Sequence, residues 1–246
     1  DLQSVQLQAF QDEEGEWRLR GTKHFISNGC GDLLLVLARS EPKTTDLFGL
    51  SLFAVHPNGQ VNVNRIEHKM GLHGSPTCEL YFDDAPAELI GRRRFGLFNV
   101  LFALNQARFS VAAQALGVAE AAYAEALAFA KQREQFGKLI IDMPPVANLL
   151  LEMRVAIESS RSMLYQSAQW LDLRNKLEEQ VDELKKAKQP YREVKARFNK
   201  IAKVVDLLSP MVKYLVTETA VQQCYIAQQL HGGMGNYGFF AQSIPL

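Results

Sequence analysis

Apolar and polar positions follow one period in the first third of the chain and another afterwards. Val5, Leu7 and Ala9 alternate with polar neighbours, Trp17 and Leu19 do the same, and Glu14-Gly15 sits between them as a turn. Leu33 to Leu37 is a continuous apolar run, as expected for a strand buried on both faces. Leu50 to Val55 reads as a further strand closed by Pro57-Asn58-Gly59, and Leu80-Tyr81-Phe82 as another that ends before Asp83-Asp84-Ala85-Pro86. Short strands separated by turn residues predict a small antiparallel β-barrel or sandwich over residues 1–90.

After Gly91 the spacing becomes helical. Residues from about 98 to 132 are rich in Ala, Leu and Glu, with Val111, Ala115, Val118, Ala122 and Ala126 at helical intervals. Pro144-Pro145 interrupts the pattern, and Pro145 suits the start of a second helix, whose buried stripe is predicted as Val146, Leu149, Leu150, Met153, Ile157, Met163 and Leu164. The charged stretch 174–200 reads as a solvated helix face or a connecting hairpin, with Pro190 between its halves. A third helix is predicted from about 191 to 230, kinked or split by Pro210 and ended by Gly232-Gly233. The class is therefore α+β: a β-rich domain over 1–90, then an up-and-down bundle of long α-helices over 91–246.

Composition narrows the function. Twenty-seven basic and 27 acidic residues give zero formal net charge, which argues against nucleic acid as a partner. No apolar run approaches the roughly 18 residues of a transmembrane segment. Cys30, Cys78 and Cys224 are scattered, as are the five histidines, so no metal-ligand cluster is expected. Zinc-protease, serine-hydrolase and P-loop signatures are absent. The chain starts at Asp1 without Met and stops at Leu246, and both ends read as cuts, so missing targeting signals say nothing about localisation.

Three stretches could carry chemistry. Lys23-His24-Phe25-Ile26-Ser27-Asn28-Gly29 puts an aromatic ring and a hydroxyl two residues apart, so on one side of a strand, where a ring can stack on a flat heterocycle and a hydroxyl can donate to a ring nitrogen. Arg133-Glu134-Gln135-Phe136-Gly137 offers a guanidinium suited to phosphate. Gln229-Leu230-His231-Gly232-Gly233-Met234-Gly235 lets a ligand approach bare backbone. Taken singly, each also reads as plain structure: a core Phe beside a turn, an exposed helix end, a helix cap.

Together and in this order they resemble the acyl-CoA dehydrogenase family. Lys23 to Gly29 is similar to that family's K-x-W-I-T-N-G stretch, with Phe25 for Trp and Ser27 for Thr. Arg133 to Lys138 is similar to R-x-x-F-G-K, and Gln229 to Gly235 to Q-x-x-G-G-x-G. Lys69 to Thr77 resembles the family's K-x-G-x-x-x-S-x-T turn, and Arg108 with 111–120 the opening of its first C-terminal helix.

The resemblance implies a flavoprotein oxidoreductase that dehydrogenates an acyl-CoA with FAD. Phe25, Ile26 and Ser27 would line the flavin ring. Arg133, Gln135, Phe136, Gln229, Gly232 and Gly233 would hold the ADP half of an FAD shared with a neighbouring subunit, which implies a homodimer or homotetramer. Asn105 and Arg108 would lie near the CoA thioester or its nucleotide tail. An electron-transfer flavoprotein would take the electrons; an oxygen-using acyl-CoA oxidase is the alternative, and a non-catalytic helical assembly module the reading from another class. The family works in the bacterial cytoplasm or the mitochondrial matrix, and the sequence does not choose between them.

Departures from the pattern bear on the chemistry. The family's usual catalytic Glu follows the glycine motif in a Y-E-G-T stretch, and the sequence stops first. Relatives that carry it before the arginine matching Arg108 have a Glu where this chain has Ala107. No base is assigned, and these residues alone are expected not to turn over substrate. Pro144 stands where many members have Gln, which removes one expected FAD contact.

Overall fold

A computed structural model describes residues 4–236, the side chain of Phe102 excepted. The chain ends that read as cuts, Asp1 and Pro245-Leu246, lie outside the described residues. Two compact units are present, Asp1–Leu104 and Asn105–Leu246.

In the first unit, β1 (Gln8–Gln11), β2 (Trp17–Ser27), β3 (Leu34–Arg39), β4 (Leu50–Val55), β5 (Val61–Ile66) and β6 (Thr77–Ile90) form one sheet in the order β2-β1-β3-β4-β6-β5. A further β2–β6 pairing closes five of these strands into a barrel, and β5 extends from β6. Closure removes free edges. The pairings are antiparallel except β1 with β3, which is parallel at Gln8↔Arg39. Leu7, Leu19, Phe53, Leu80 and Phe82 fill the interior. Each such side chain contributes roughly 1.5–3 kcal/mol by leaving water.

The structure corrects the sequence reading in two places here. Leu33 and Leu35 are exposed, so the apolar run at 33–37 is not buried on both faces. Its alternation is hidden because the outward positions are also leucines. The last strand does not stop at Phe82 but runs through Pro86 to Ile90. Pro86 is tolerated because it pairs only with Arg18 of β2, while β4 and β5 meet β6 at 88–90 and 78–82. Asp84 takes up a positive φ of 51° beside it.

The second unit contains most of α1 (Gly96–Ala130), then α2 (Pro144–Lys186) and α3 (Arg192–His231). The buried face of α1 is Phe109, Ala112, Leu116, Ala119, Ala122, Ala126 and Ala130. Ala122 and Ala126 lie on it as the spacing predicts, but Val111 is exposed and Ala115 and Val118 are only half-buried, so the first half of the stripe is shifted by one residue. Nearly every position is small or apolar, which leaves periodicity little contrast to read. On α2 the buried residues Leu150, Met153, Ile157, Ser160, Leu164, Ser167, Leu171 and Arg174 recur at intervals of three and four, a heptad seam facing α3. The stretch 174–200 is the predicted hairpin, but Arg174 is buried and its Nη2 donates to Asn175 Oδ1 at 2.8 Å.

Helix α3 runs through Pro210 without a break. Its buried face is Val205, Ser209, Val212, Val216, Ala220, Gln223 and Ala227. The opposite face is also apolar: Leu207, Met211, Tyr214, Leu215, Val221 and Tyr225 are exposed. A helix with two apolar faces is built to lie between two partners. Among the described residues no helix is long and apolar enough to cross a membrane, and no cluster of His, Cys, Asp or Glu could hold a metal.

Candidate functional site

The end of α1 sets up the first feature. The helix stops at Ala130, before Arg133, and a hairpin of β7 (Glu134–Gln135) and β8 (Lys138–Leu139) follows. Its two-residue loop is Phe136-Gly137, with φ of 53° and 74°. A loop with both residues at positive φ normally carries Asn-Gly. Phenylalanine there costs on the order of 1–2 kcal/mol. Its ring is 93% exposed, so the fold gains no packing in return.

Arg133 and Gln135 of this hairpin line a cleft of about 660 Å³ together with Gln229, Gly232 and Gly233 from the end of α3. The walls are mostly apolar, with Phe129, Val146 and Leu149 among them. The Arg133 guanidinium is exposed, and among the described residues no carboxylate lies within salt-bridge distance of it. Its backbone is anchored: the Arg133 amide donates to Phe129 O at 2.9 Å, and Ile140 N donates to Arg133 O at 2.9 Å.

The glycines divide by cause. Gly232 caps α3 with φ 56°, a conformation that penalises a Cβ. Gly233 has no such φ, and a Cβ there would meet nothing within 4 Å. Among the described residues nothing requires a glycine at 233, so the open space above its backbone suits a molecule from outside.

The sequence did not reveal the back of the cleft. His231 is buried, with its ring 4.4 Å from that of Phe129. Its Nδ1 lies 2.7 Å from Ala227 O, which can only accept, so Nδ1 carries the proton. His231 lay inside the motif already quoted; its pairing with a ring 102 positions earlier has no signal in sequence.

In the barrel unit, a register shift between Lys23 and Ile26 puts a bulge in β2, and Phe25 sits in it with φ 58°. The ring is 72% exposed and Ser27 is exposed as well, while Ile26 between them packs against the core. Ile26 can therefore offer an outside ligand its backbone rather than its side chain. Ser27 pairs with Thr77, and Asn28 N donates to Pro76 O at 2.7 Å. Lys69 Nζ donates to Thr77 Oγ1 at 3.1 Å and to Ser75 O, so the 69–77 turn is tied beside Ser27.

Two titratable groups frame this patch. Glu79 is held below the usual carboxylate range, first by the Asn64 hydrogen bond and then by the Arg65 charge, with the His24 ring 3.2 Å away. Burial pushes Lys23 down to about 8, with its Nζ donating to Leu37 O at 2.8 Å.

Asn105 and Arg108 form a local pair, with Arg108 Nη1 donating to Asn105 Oδ1 at 2.6 Å. Ser209 Oγ donates to Asn105 O at 3.3 Å, tying α1 to α3. The structure does not bring this pair to the Arg133 cleft. Twenty-two residues of α1 separate Arg108 from Ala130, roughly 33 Å at the helical rise.

A family model for the acyl-CoA dehydrogenase C-terminal domain matches residues 96–242, and one for the middle domain matches residues 1–85. The chain belongs to the acyl-CoA dehydrogenase family. A 3-methylmercaptopropionyl-CoA dehydrogenase of Ruegeria pomeroyi is 32% identical over 260 residues, covering 96% of this chain and 42% of that protein. The butyryl-CoA dehydrogenase structure from Megasphaera elsdenii superposes with a TM-score of 0.79 at 26% identity, over 99% of this chain and 58% of the other. A chain solved in work on the electron transferring flavoprotein of Acidaminococcus fermentans gives 0.75 at 30% identity, over 96% and 55%. This chain thus spans about half the length of its family relatives. Members of the family depend on FAD and share this α+β fold.

Proposed function

We propose that the chain is the flavin-contacting and oligomer-forming part of an FAD-dependent acyl-CoA dehydrogenase, catalysing α,β-dehydrogenation of an acyl-CoA thioester. The observation that carries this reading is the convergence of Arg133 and Gln135 with Gln229, Gly232 and Gly233 on one cleft. The donor set fits the ADP half of FAD. A guanidinium with no carboxylate beside it among the described residues suits a pyrophosphate, bare backbone at 233 admits close approach, and apolar walls suit an adenosine. The α2 N-terminus adds little for an anion, because Pro144 and Pro145 occupy its first positions and bring no N–H.

Bound flavin supplies hydride acceptance from the β-carbon; the chain supplies position. Exposed Phe25 offers a flat face to the isoalloxazine ring and Ser27 a hydroxyl to its edge, with Ile26 contributing main chain. Phe136 projects from the strained hairpin to pack on the nucleotide half. Arg108, oriented by Asn105, serves the CoA end of the substrate. The α-proton is taken by a carboxylate that this reading assigns to no described residue, since Ala107 stands in one of the family's two positions. Sharing the FAD between subunits makes the active form a homodimer or homotetramer, and the second apolar face of α3 supports such contacts. An electron-transfer flavoprotein is the proposed acceptor. A relative from Acetobacterium woodii, subunit CarC of a caffeyl-CoA reductase-Etf complex, supports it at 29% identity.

The test uses the full-length protein. It should purify yellow, release FAD on denaturation, and bleach when an acyl-CoA is added without air. A colourless protein that takes up no FAD would overturn the reading.

A further inference from the structure

The strand that carries Phe25 and Ser27 ends in a loop whose cysteine, Cys30, is exposed, and β6 presents a second cysteine, Cys78, fully buried under that loop. Cys78 follows Thr77, the partner of Ser27, and itself pairs with Ile26. The loop backbone lies directly on it: a Cβ built on Gly29 would come within 2.7 Å of Cys78 Cβ and 3.3 Å of its Sγ. The Cys30 side chain and the Gly29 and Cys30 amides also reach the Cys78 sulphur. A thiol on the surface and a thiol beneath it thus lie on segments in van der Waals contact, the proximity from which a disulfide can close.

We propose that Cys30 and Cys78 are a site of reversible oxidation by hydroperoxides, closing a disulfide that pins the 27–30 loop to β6. Exposed Cys30 meets the oxidant first. Its thiolate attacks the peroxide O–O bond, giving a sulfenic acid and, after protonation, water. Cys78 then displaces the sulfenic oxygen as a second water and the S–S bond forms. Two thiols give up two electrons and two protons, and hydrogen peroxide becomes two waters. Burial first, and then the neighbouring Cys30 thiol, raise the pKa of Cys78 and disfavour its thiolate. The buried thiol is thus protected from over-oxidation and reacts only with the sulphur beside it. A thiol reductant restores the pair.

The inference rests on this chain's own geometry and holds whether or not flavin binds, so its failure and that of the proposed function are separable. Full-length protein is exposed to a slight excess of hydrogen peroxide, alkylated and digested, and its peptides are weighed. A cross-linked peptide joining Cys30 to Cys78, lighter by two hydrogens and released by dithiothreitol, is expected. Cys30→Ser and Cys78→Ser should each abolish it, with Cys224 alkylated throughout. Two free thiols after treatment would overturn the proposal. So would Cys30 advancing to sulfinic acid, or cross-linking to another chain, with Cys78 unmodified.

Discussion

Phe136 occupies a backbone conformation that its side chain opposes, at the tip of a hairpin where the ring touches almost nothing of its own chain. Strain without internal compensation marks a residue kept for a contact elsewhere. Phe136→Asn separates the two effects, since asparagine tolerates the left-handed region. Folding stability should hold or rise by about 0.5–1 kcal/mol. FAD affinity of the full-length protein should fall roughly 5- to 10-fold, the value of a lost aromatic contact. Denaturant curves and flavin titration measure both; a variant that loses stability and keeps its affinity would contradict the assignment. Lys23 carries a second residue-scale prediction. Its folded pKa of about 8 lies below the ordinary lysine value of 10.5, so between those limits the unfolded chain binds more protons and stability rises with pH. Below about 8 the buried charge costs folding up to about 3 kcal/mol, and above 10.5 that cost is gone. Lys23→Met has no charge to lose. Wild type should therefore gain on the variant between pH 8 and pH 10.5 in chemical denaturation, and parallel profiles would show that burial does not depress this group.

At the scale of elements, the α3 C-terminus separates a glycine the fold needs from one the ligand needs. Gly232→Ala places a Cβ at φ 56° and should destabilise the protein by about 1 kcal/mol. Gly233→Ala has open space and no φ penalty, so stability should be unchanged while FAD binding weakens severalfold. Equal effects of the two on stability would mean that 233 is structural after all. Legibility in sequence divides along similar lines. Strands β1 and β2 and helix α2 show in it because their apolar residues contrast with polar neighbours, whereas β3 and α1 show only as apolar runs whose buried sides the sequence does not mark. Strand β5 does not: Val61-Asn62-Val63-Asn64 alternates, but the pattern breaks at Arg65 and every residue beyond Val61 is exposed, so it lacks the longer buried stripe that marks the other strands. The β7–β8 hairpin is hidden because Phe-Gly is not a turn signal, and the strain that makes it one is visible only in the backbone. Motif order found the cleft's polar residues, but Phe129 and His231 behind them meet only through tertiary packing.

For the whole molecule, the question is what covers the outer face of α3. The inner face, from Val205 to Ala227, is occupied by α1 and α2. Leu207, Met211, Tyr214, Val221 and Tyr225 point the other way, and within them Glu218 is the main charged position. Lys200 and Lys203 are exposed further towards the N-terminus of the same helix. An antiparallel second copy of α3 centred near Met211 would set Lys203 against the partner's Glu218 and Leu207 against the partner's Tyr214. A two-fold axis makes such a contact self-complementary. On a free surface, Leu207→Glu with Tyr214→Glu should change stability by no more than about 0.5 kcal/mol per site. Within an oligomer they bury four like charges around the axis, so sedimentation should show the species halve in mass. If the FAD site is also completed by a neighbouring subunit, flavin should leave in the same step. A double variant that keeps its assembled mass would show that some other surface holds the subunits together, and a monomer that keeps its flavin would show that the cleft needs no neighbour.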